Sequence, residues 1–281
     1  MKTRRYLLYG GYKLLEKVKY IELRNKIMNY ANIITFHRVN DYEKNPLTTS
    51  TTMFEKMMYE IGRRYQPVSL ETLVDEIKNG RKLRPKNVAI TFDDGYRDNF
   101  LNAIPILREY HLPATFFITS GYINSSKIFP WDEGSLVEHP MMSWDQVREL
   151  CRLGFEIGAH TINHVDLRKV PVKLAREEIG GSKAQIEREI SRAVKAFSVP
   201  FGDTSSISRD IIGVVREAGF ECCFSAHGGK VTKDSDLFEL HRVPVYPNLI
   251  EMKMELDNFM TYFDGEMAIH PFRYRDPINR Y

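Results

Sequence analysis

The run Val88-Ala89-Ile90-Thr91-Phe92 is apolar and rich in β-formers, and it ends abruptly in Asp93-Asp94-Gly95. A buried strand of this kind delivers two adjacent carboxylates to its end, where their charge needs a partner. About 65 residues later comes His160-Thr161-Ile162-Asn163-His164. Two histidines four residues apart are predicted to lie on one side of a single helical turn, about 6 Å apart, close enough to share an ion. One carboxylate and two imidazoles make three protein ligands, the usual set for a catalytic zinc site whose fourth position stays open. The remaining carboxylate is then available as a general base. The residues alone leave open which of Asp93 and Asp94 takes which role.

These segments belong to an alternating pattern. Short apolar runs recur at 32–38, 88–92, 114–119, 155–159, 194–199, 221–225 and 239–245, with helical stretches between them. Thr52 with Glu55 and Ser143 with Gln146 have capping-box spacing. Ser69 and Ser208 precede further helices, and Gly80, Gly154 and Gly219 fall where helices should stop. About seven strand–helix units without a linker predict an α/β fold, a single closed or nearly closed barrel with parallel strands. Loops that follow strands then form the active face, and both motifs follow strands.

The two motifs, in this order and at this separation, resemble the first two motifs of the polysaccharide deacetylase family, also called the NodB homology domain or carbohydrate esterase family 4. The similarity extends from Ile33-Ile34-Thr35-Phe36-His37-Arg38-Val39 through Val199-Pro200-Phe201-Gly202 to Leu240-His241-Arg242-Val243-Pro244-Val245, roughly residues 31 to 260. The resemblance implies an irregular (β/α)7 TIM-like barrel over residues 31–281, preceded by an N-terminal amphipathic helical segment over residues 1–30. It implies a metal-dependent hydrolase that removes an N-acetyl group from an amino sugar of a cell-surface glycan or its precursor. It assigns Asp94, His160 and His164 as metal ligands and Asp93 as the base. It also gives the Phe201 N–H to the oxyanion. Zinc is the expected ion, and His/carboxylate sites also accept cobalt, iron or nickel.

The chain departs from the family pattern in three places. Ser198 stands where the third motif usually has an arginine contacting the catalytic acid, which marks a divergent branch. Without a cation nearby, Asp93 should have a raised pKa unless another arginine substitutes, and Arg242 is the candidate. The acidic pair that normally anchors the missing arginine is likewise absent around Phe224-Ser225-Ala226-His227. The histidine that protonates the departing amine has two candidates, His270 in Ile269-His270-Pro271 and His37 at the end of the first strand. Trp131 in the long irregular stretch 120–142 reads as a wall of the substrate pocket, whereas Trp144 reads as core. The altered motifs keep a second reading open, hydrolysis of another linear amide such as a formyl group or a ureide. A third is a carbohydrate-binding barrel without catalysis.

Charge excludes some partners and suggests others. Forty basic against 37 acidic residues give a net charge of +3, no electrostatic footprint for nucleic acid. Cys151, Cys222 and Cys223 are poor material for a disulfide framework and read as buried free thiols, hence a reducing, cytoplasmic compartment. No run approaches a membrane span and no secretory signal is read at the start. Residues 12–29 pair Leu14, Leu15, Val18, Ile21 and Met28 with Lys13, Lys17, Lys19, Arg24 and Lys26, which predicts a basic amphipathic helix. Such a helix either packs on the domain or touches the inner membrane face as a peripheral contact. The oligomeric state is left open.

Overall fold

A computed structural model describes residues 2–17, 19–25, 29–202, 208–226, 229–245 and 248–259. The strands are β1 (Ala31–Phe36), β2 (Arg38–Val39), β3 (Thr48–Thr49), β4 (Gln66–Pro67), β5 (Asn87–Phe92), β6 (Thr115–Ile118), β7 (Glu156–Ala159), β8 (Ala196–Ser198), β9 (Cys222–Phe224) and β10 (Val243–Pro244). The helices are α1 (Lys2–Lys17), α2 (Tyr20–Asn25), α3 (Thr51–Arg64), α4 (Leu70–Lys78), α5 (Ile104–Glu109), α6 (Trp144–Arg152), α7 (Val172–Ile190), α8 (Arg209–Glu217) and α9 (Leu249–Leu256). A π-helical turn, Asn99–Ala103, leads into α5.

The main sheet runs β10-β1-β5-β6-β7-β8-β9 with all pairings parallel, and β4 joins β5 at the start of that strand. Its two edges meet in one segment: Leu240 bridges Phe224 of β9, and Val243 pairs with Ile34 of β1. The ring is therefore closed by a strand that changes partner half-way, which explains why the run at 239–245 is regular only at Val243–Pro244. The small β2–β3 pair and β4 were not anticipated; two-residue strands carry too little periodicity to be seen in sequence.

Two layers of core hold the barrel. Outside the sheet, Phe36, Phe92 and Phe116 sit in register on neighbouring strands and stack, with ring centroids 5.4 and 4.7 Å apart. Each such pair adds about 0.5–1.5 kcal/mol beyond the area it buries. Inside, Ile33, Ala89, Phe117, Phe224 and Leu240 pack with Leu70, Leu73 and Ile77 of α4, which plugs the barrel at the end where its strands begin. Gly158 of β7 is required by this packing, since a Cβ there would lie 2.4 Å from the Phe117 ring.

Helix starts and stops follow the local chemistry with two exceptions. Ser143 forms a full capping box with Gln146, and Ser69 and Ser208 cap α4 and α8 through Thr72 N–H and Ile211 N–H. Gly80, Gly154 and Gly219 all take positive φ just past their helices. At α3 the cap is Ser50, whose side chain accepts from Met53 N–H, rather than Thr52. The box at Thr52 fails because Ser50 already occupies the extended capping conformation two residues earlier. The expected helix over 12–29 also differs: α1 begins at Lys2, and the chain breaks at Lys19 (φ 58°) before α2. Cys151, Cys222 and Cys223 are buried and free, and burial pushes the Cys223 thiol up to about 12.

Candidate active site

The parallel sheet puts every strand's C-terminal end on one rim, and the chemistry gathers there. Asp93 and Asp94 follow β5, His160 follows β7, and Ser198 ends β8. Asp94 sits at φ 74° and Gly95 at φ 91°, so the chain turns sharply and aims two adjacent carboxylates into the rim. Aspartate tolerates that left-handed conformation better than most residues, because its short polar side chain bonds locally.

His160 and His164 do converge with Asp94, but not on a helical turn. They lie in a loop in which Thr161 (φ 63°) and His164 (φ 54°) are both left-handed. Thr161 Oγ1 accepts from His164 N–H at 2.9 Å and fixes the turn. Buried Glu178 of α7 accepts from the N–H groups of Ile162 and Asn163 and from the Asn163 side chain, at 2.8–3.0 Å. Asn163 ties the histidine loop to the helix behind it. The result is a pair of imidazole rings with centroids 4.8 Å apart.

The ring nitrogens can be assigned. His160 Nδ1 lies 2.7 Å from the Ser198 carbonyl oxygen, which only accepts, so Nδ1 carries the proton and Nε2 presents a lone pair. Burial pushes the His160 pKa down to about 4, which keeps the ring neutral. His160 Nε2 and His164 Nε2 stand 3.6 and 3.3 Å from Asp94 Oδ1. Both Asp94 oxygens are buried without a hydrogen-bond partner. The three donor atoms lie within 4.8 Å of one another. An orphaned buried carboxylate facing two imidazoles is a donor set that suits a divalent cation of the zinc type.

Asp93 has a different environment. Arg242, fully buried, donates Nη1 to Asp93 Oδ1 at 2.7 Å and Nη2 to Oδ2 at 2.6 Å. Burial alone would raise the Asp93 pKa, but the Arg242 charge and its paired hydrogen bonds hold it below the usual carboxylate range. Arg242 is itself held by the Ser225 carbonyl (2.8 Å), Ser198 Oγ (2.8 Å) and Thr91 Oγ1 (3.2 Å). Its guanidinium also rests over the Phe117 ring at 5.2 Å.

Aromatic side chains wall the opposite side. Tyr122, Phe129 and Trp131 form a stack with centroids 4.1 and 4.6 Å apart, and the Trp131 ring stands 4.9 Å from His164, edge to face. A chain of hydrogen bonds fixes the indole: Arg38 to Asp132 (2.7 Å), Tyr96 to Asp132 (2.7 Å) and Trp131 Nε1 to Tyr96 (2.9 Å). Phe201 completes the wall, 4.9 Å from His164. It has φ 64°, and its N–H makes no hydrogen bond among the described residues. Gly202 beside it has no room for a side chain, because a Cβ would lie 2.4 Å from Ala226 N.

Comparison with known proteins decides the family. A profile of the polysaccharide deacetylases matches residues 80–223. The chain belongs to the polysaccharide deacetylase family. It is 25% identical over 221 residues to Bacillus subtilis YxkH, which is named for the same family, covering 77% of this chain and 72% of that one. It is 22% identical over 254 residues to a Staphylococcus aureus poly-β-1,6-N-acetyl-D-glucosamine N-deacetylase, covering 84% and 83%. Its fold is similar to IcaB of Ammonifex degensii (TM-score 0.71, 22% identity, 82% and 97% covered). It is also similar to Streptococcus pyogenes deacetylase PplD in complex with acetate (TM-score 0.68, 20% identity, 83% and 97% covered).

Within this polysaccharide deacetylase, the missing third-motif arginine has a physical replacement. Arg242 reaches Asp93 from the segment that leads into β10, and Ser198 Oγ accepts a hydrogen bond from it. The absent acidic anchor is replaced by a backbone carbonyl and two hydroxyls. His37 sits half-buried just beyond the end of β1, on the same rim. His270 and His227 lie outside the described residues. Trp144 is buried at the start of α6, in the core. Sequence reasoning missed Arg38, Tyr96, Asp132 and Glu178. A charged residue inside a short strand or a helix gives no periodic signal that it will be buried. A groove of about 850 Å³ at the other end of the barrel is lined by Thr115, Glu156, Ala196 and Cys222, the first residues of β6 to β9 or next to them, and is remote from this chemistry.

Proposed function

We propose that this chain is a metal-dependent N-deacetylase acting on an N-acetylated amino sugar of a glycan or its precursor. The observation that carries the reading is the contrast between neighbouring aspartates: Asp93 is clamped by Arg242, while Asp94 faces two imidazoles with both oxygens unpartnered. Asp94, His160 and His164 would hold the ion. Zinc or a similar divalent metal, when bound there, supplies Lewis acidity toward the amide carbonyl and lowers the pKa of a coordinated water.

The residues around it have separable tasks. Asp93, kept ionised by Arg242, accepts the proton of the attacking water; its fixed orientation removes the need to reorganise during the step. The Phe201 N–H is a donor for the developing oxyanion, a task that needs no particular side chain. His37 is the proton donor to the departing amine favoured by its place on the same rim. Trp131, held by Tyr96 against His164, offers an aromatic edge to the sugar.

Acetate release from N-acetylglucosamine oligomers tests the assignment. Asp93→Asn is expected to lower kcat by about 10²–10⁴-fold with KM little changed, the usual worth of a general base. His37→Gln should lower kcat with KM little changed. Trp131→Ala should instead raise KM severalfold. An Asp93→Asn enzyme as active as wild type would remove the mechanism. Formyl and ureide substrates belong in the same panel. Their appeal rested on the lost third-motif arginine, and the Arg242–Asp93 pair supplies an equivalent contact.

A further inference from the structure

The net charge of the chain is concentrated in one place. Residues 1–29 carry eight basic and two acidic side chains, whereas residues 30–281 carry 32 basic and 35 acidic, so the N-terminal segment is at +6 and the remainder at −3. One face of this segment is anchored. Tyr12, 1% exposed, donates its hydroxyl to Asp257 at 2.6 Å and meets the Phe259 ring edge-on, and Ile21 of α2 is 2% exposed. Glu16 pairs with Arg64 of α3 and Lys253 of α9, and Tyr9 bonds Glu251. These contacts tie α1 to α3, to α9 and to the residues just after α9.

Among the described residues, the other side carries exposed apolar side chains. Leu7 and Leu14 of α1 are 73% and 62% exposed, and Tyr20 and Leu23 of α2 are 42% and 69% exposed. Leu7 and Leu14 are two helical turns apart and therefore share one side of α1. Exposed Lys13, Lys17 and Lys19 flank them. The one acidic side chain described on α1, Glu16, is spent on the anchored face.

We infer that this face of α1 and α2 docks on an anionic lipid bilayer. Leucines and a tyrosine enter the boundary between headgroups and acyl chains, while lysines lay their stems on the apolar surface and keep their ammonium groups among the lipid phosphates. No helix of the described residues is long and apolar enough to cross a membrane, so the contact is peripheral. A second copy of the chain is the poorer occupant, because a two-fold interface would set one +6 segment against another. The surface does not depend on the reaction proposed above.

Sedimentation of the full chain with lipid vesicles tests this. Binding is expected to phosphatidylcholine vesicles containing phosphatidylglycerol and not to phosphatidylcholine alone, weakening as salt is raised. Leu7→Gln with Leu14→Gln should weaken it about tenfold, and so should neutralising Lys13, Lys17 and Lys19 together, with acetate release from a soluble oligomer unchanged. The inference is overturned by failure to bind anionic vesicles, by equal binding to neutral ones, or by indifference to the leucine changes. Light scattering showing that those leucines hold a dimer together would also overturn it.

Discussion

Arg242→Met is expected to unfold the protein more easily and to do so in a pH-dependent way. The substitution leaves the Asp93 carboxylate buried without its cation, and removing one partner of such a pair typically costs about 3–5 kcal/mol. In the wild type the folded Asp93 pKa lies below its unfolded value, so the pair's contribution is fully present above about pH 4 and is lost only as pH falls through the folded value. In the variant burial is no longer opposed by the Arg242 charge and its hydrogen bonds, and lifts the folded pKa above the unfolded one. The sign then reverses: Asp93 is harmless when protonated, and its cost grows as pH rises from about 4 toward the new folded value. The melting-temperature deficit of Arg242→Met should therefore be larger at pH 7.5 than at pH 4.5. The acidic limb of kcat/KM should move to higher pH in the same variant. A deficit that is equal at both pH values would mean that Arg242 matters only for packing. Arg242→Lys should recover little, because a single ammonium does not reproduce the two parallel bonds of the guanidinium.

The second large effect concerns Asp94. Asn is the informative replacement, since it tolerates the left-handed backbone at this position while removing the charge. Activity at saturating metal is expected to fall by about 10³-fold or more, together with loss of stoichiometric zinc from the purified protein. Thermal unfolding separates ligand loss from misfolding. Metal at a thousand times its Kd would stabilise the wild type by about 4 kcal/mol, and chelator would remove that gain. Asp94→Asn should show no metal-induced shift. In chelator it should melt close to or above the wild type, because an unpaired buried carboxylate has been replaced by a neutral amide. A variant that keeps the metal shift would sink the ligand assignment, and one that melts far below the wild type in chelator would show that Asp94 serves the fold.

The geometry that joins these two predictions is one of distance along the chain. Asp93 and Arg242 are 149 residues apart, yet their charges meet because the segment at Leu240–Pro244 joins β9 to β1 and turns Arg242 toward the barrel interior. Phe117 beneath the guanidinium is possible only because position 158 is glycine. The barrel closure therefore builds the candidate site as well as the fold.

What could be read from the chain directly was whatever is encoded over a few adjacent residues. The apolar run into Asp93-Asp94-Gly95, the His160/His164 spacing, the serine caps and the helix-ending glycines are local patterns, and they placed the strands, the metal-ligand candidates and the alternating α/β barrel. The same local view misjudged the histidine loop, since a four-residue spacing looks alike on a helix and on a turn. Only the left-handed Thr161 and His164 and the clamp from Glu178, distant in sequence, distinguish them. Arg242 could be nominated from sequence but not placed, and Arg38, Tyr96 and Asp132 gave no sign of their burial at all. Charge pairing in a core depends on which strands become neighbours, and that is decided by closing the ring rather than by any stretch of residues within it.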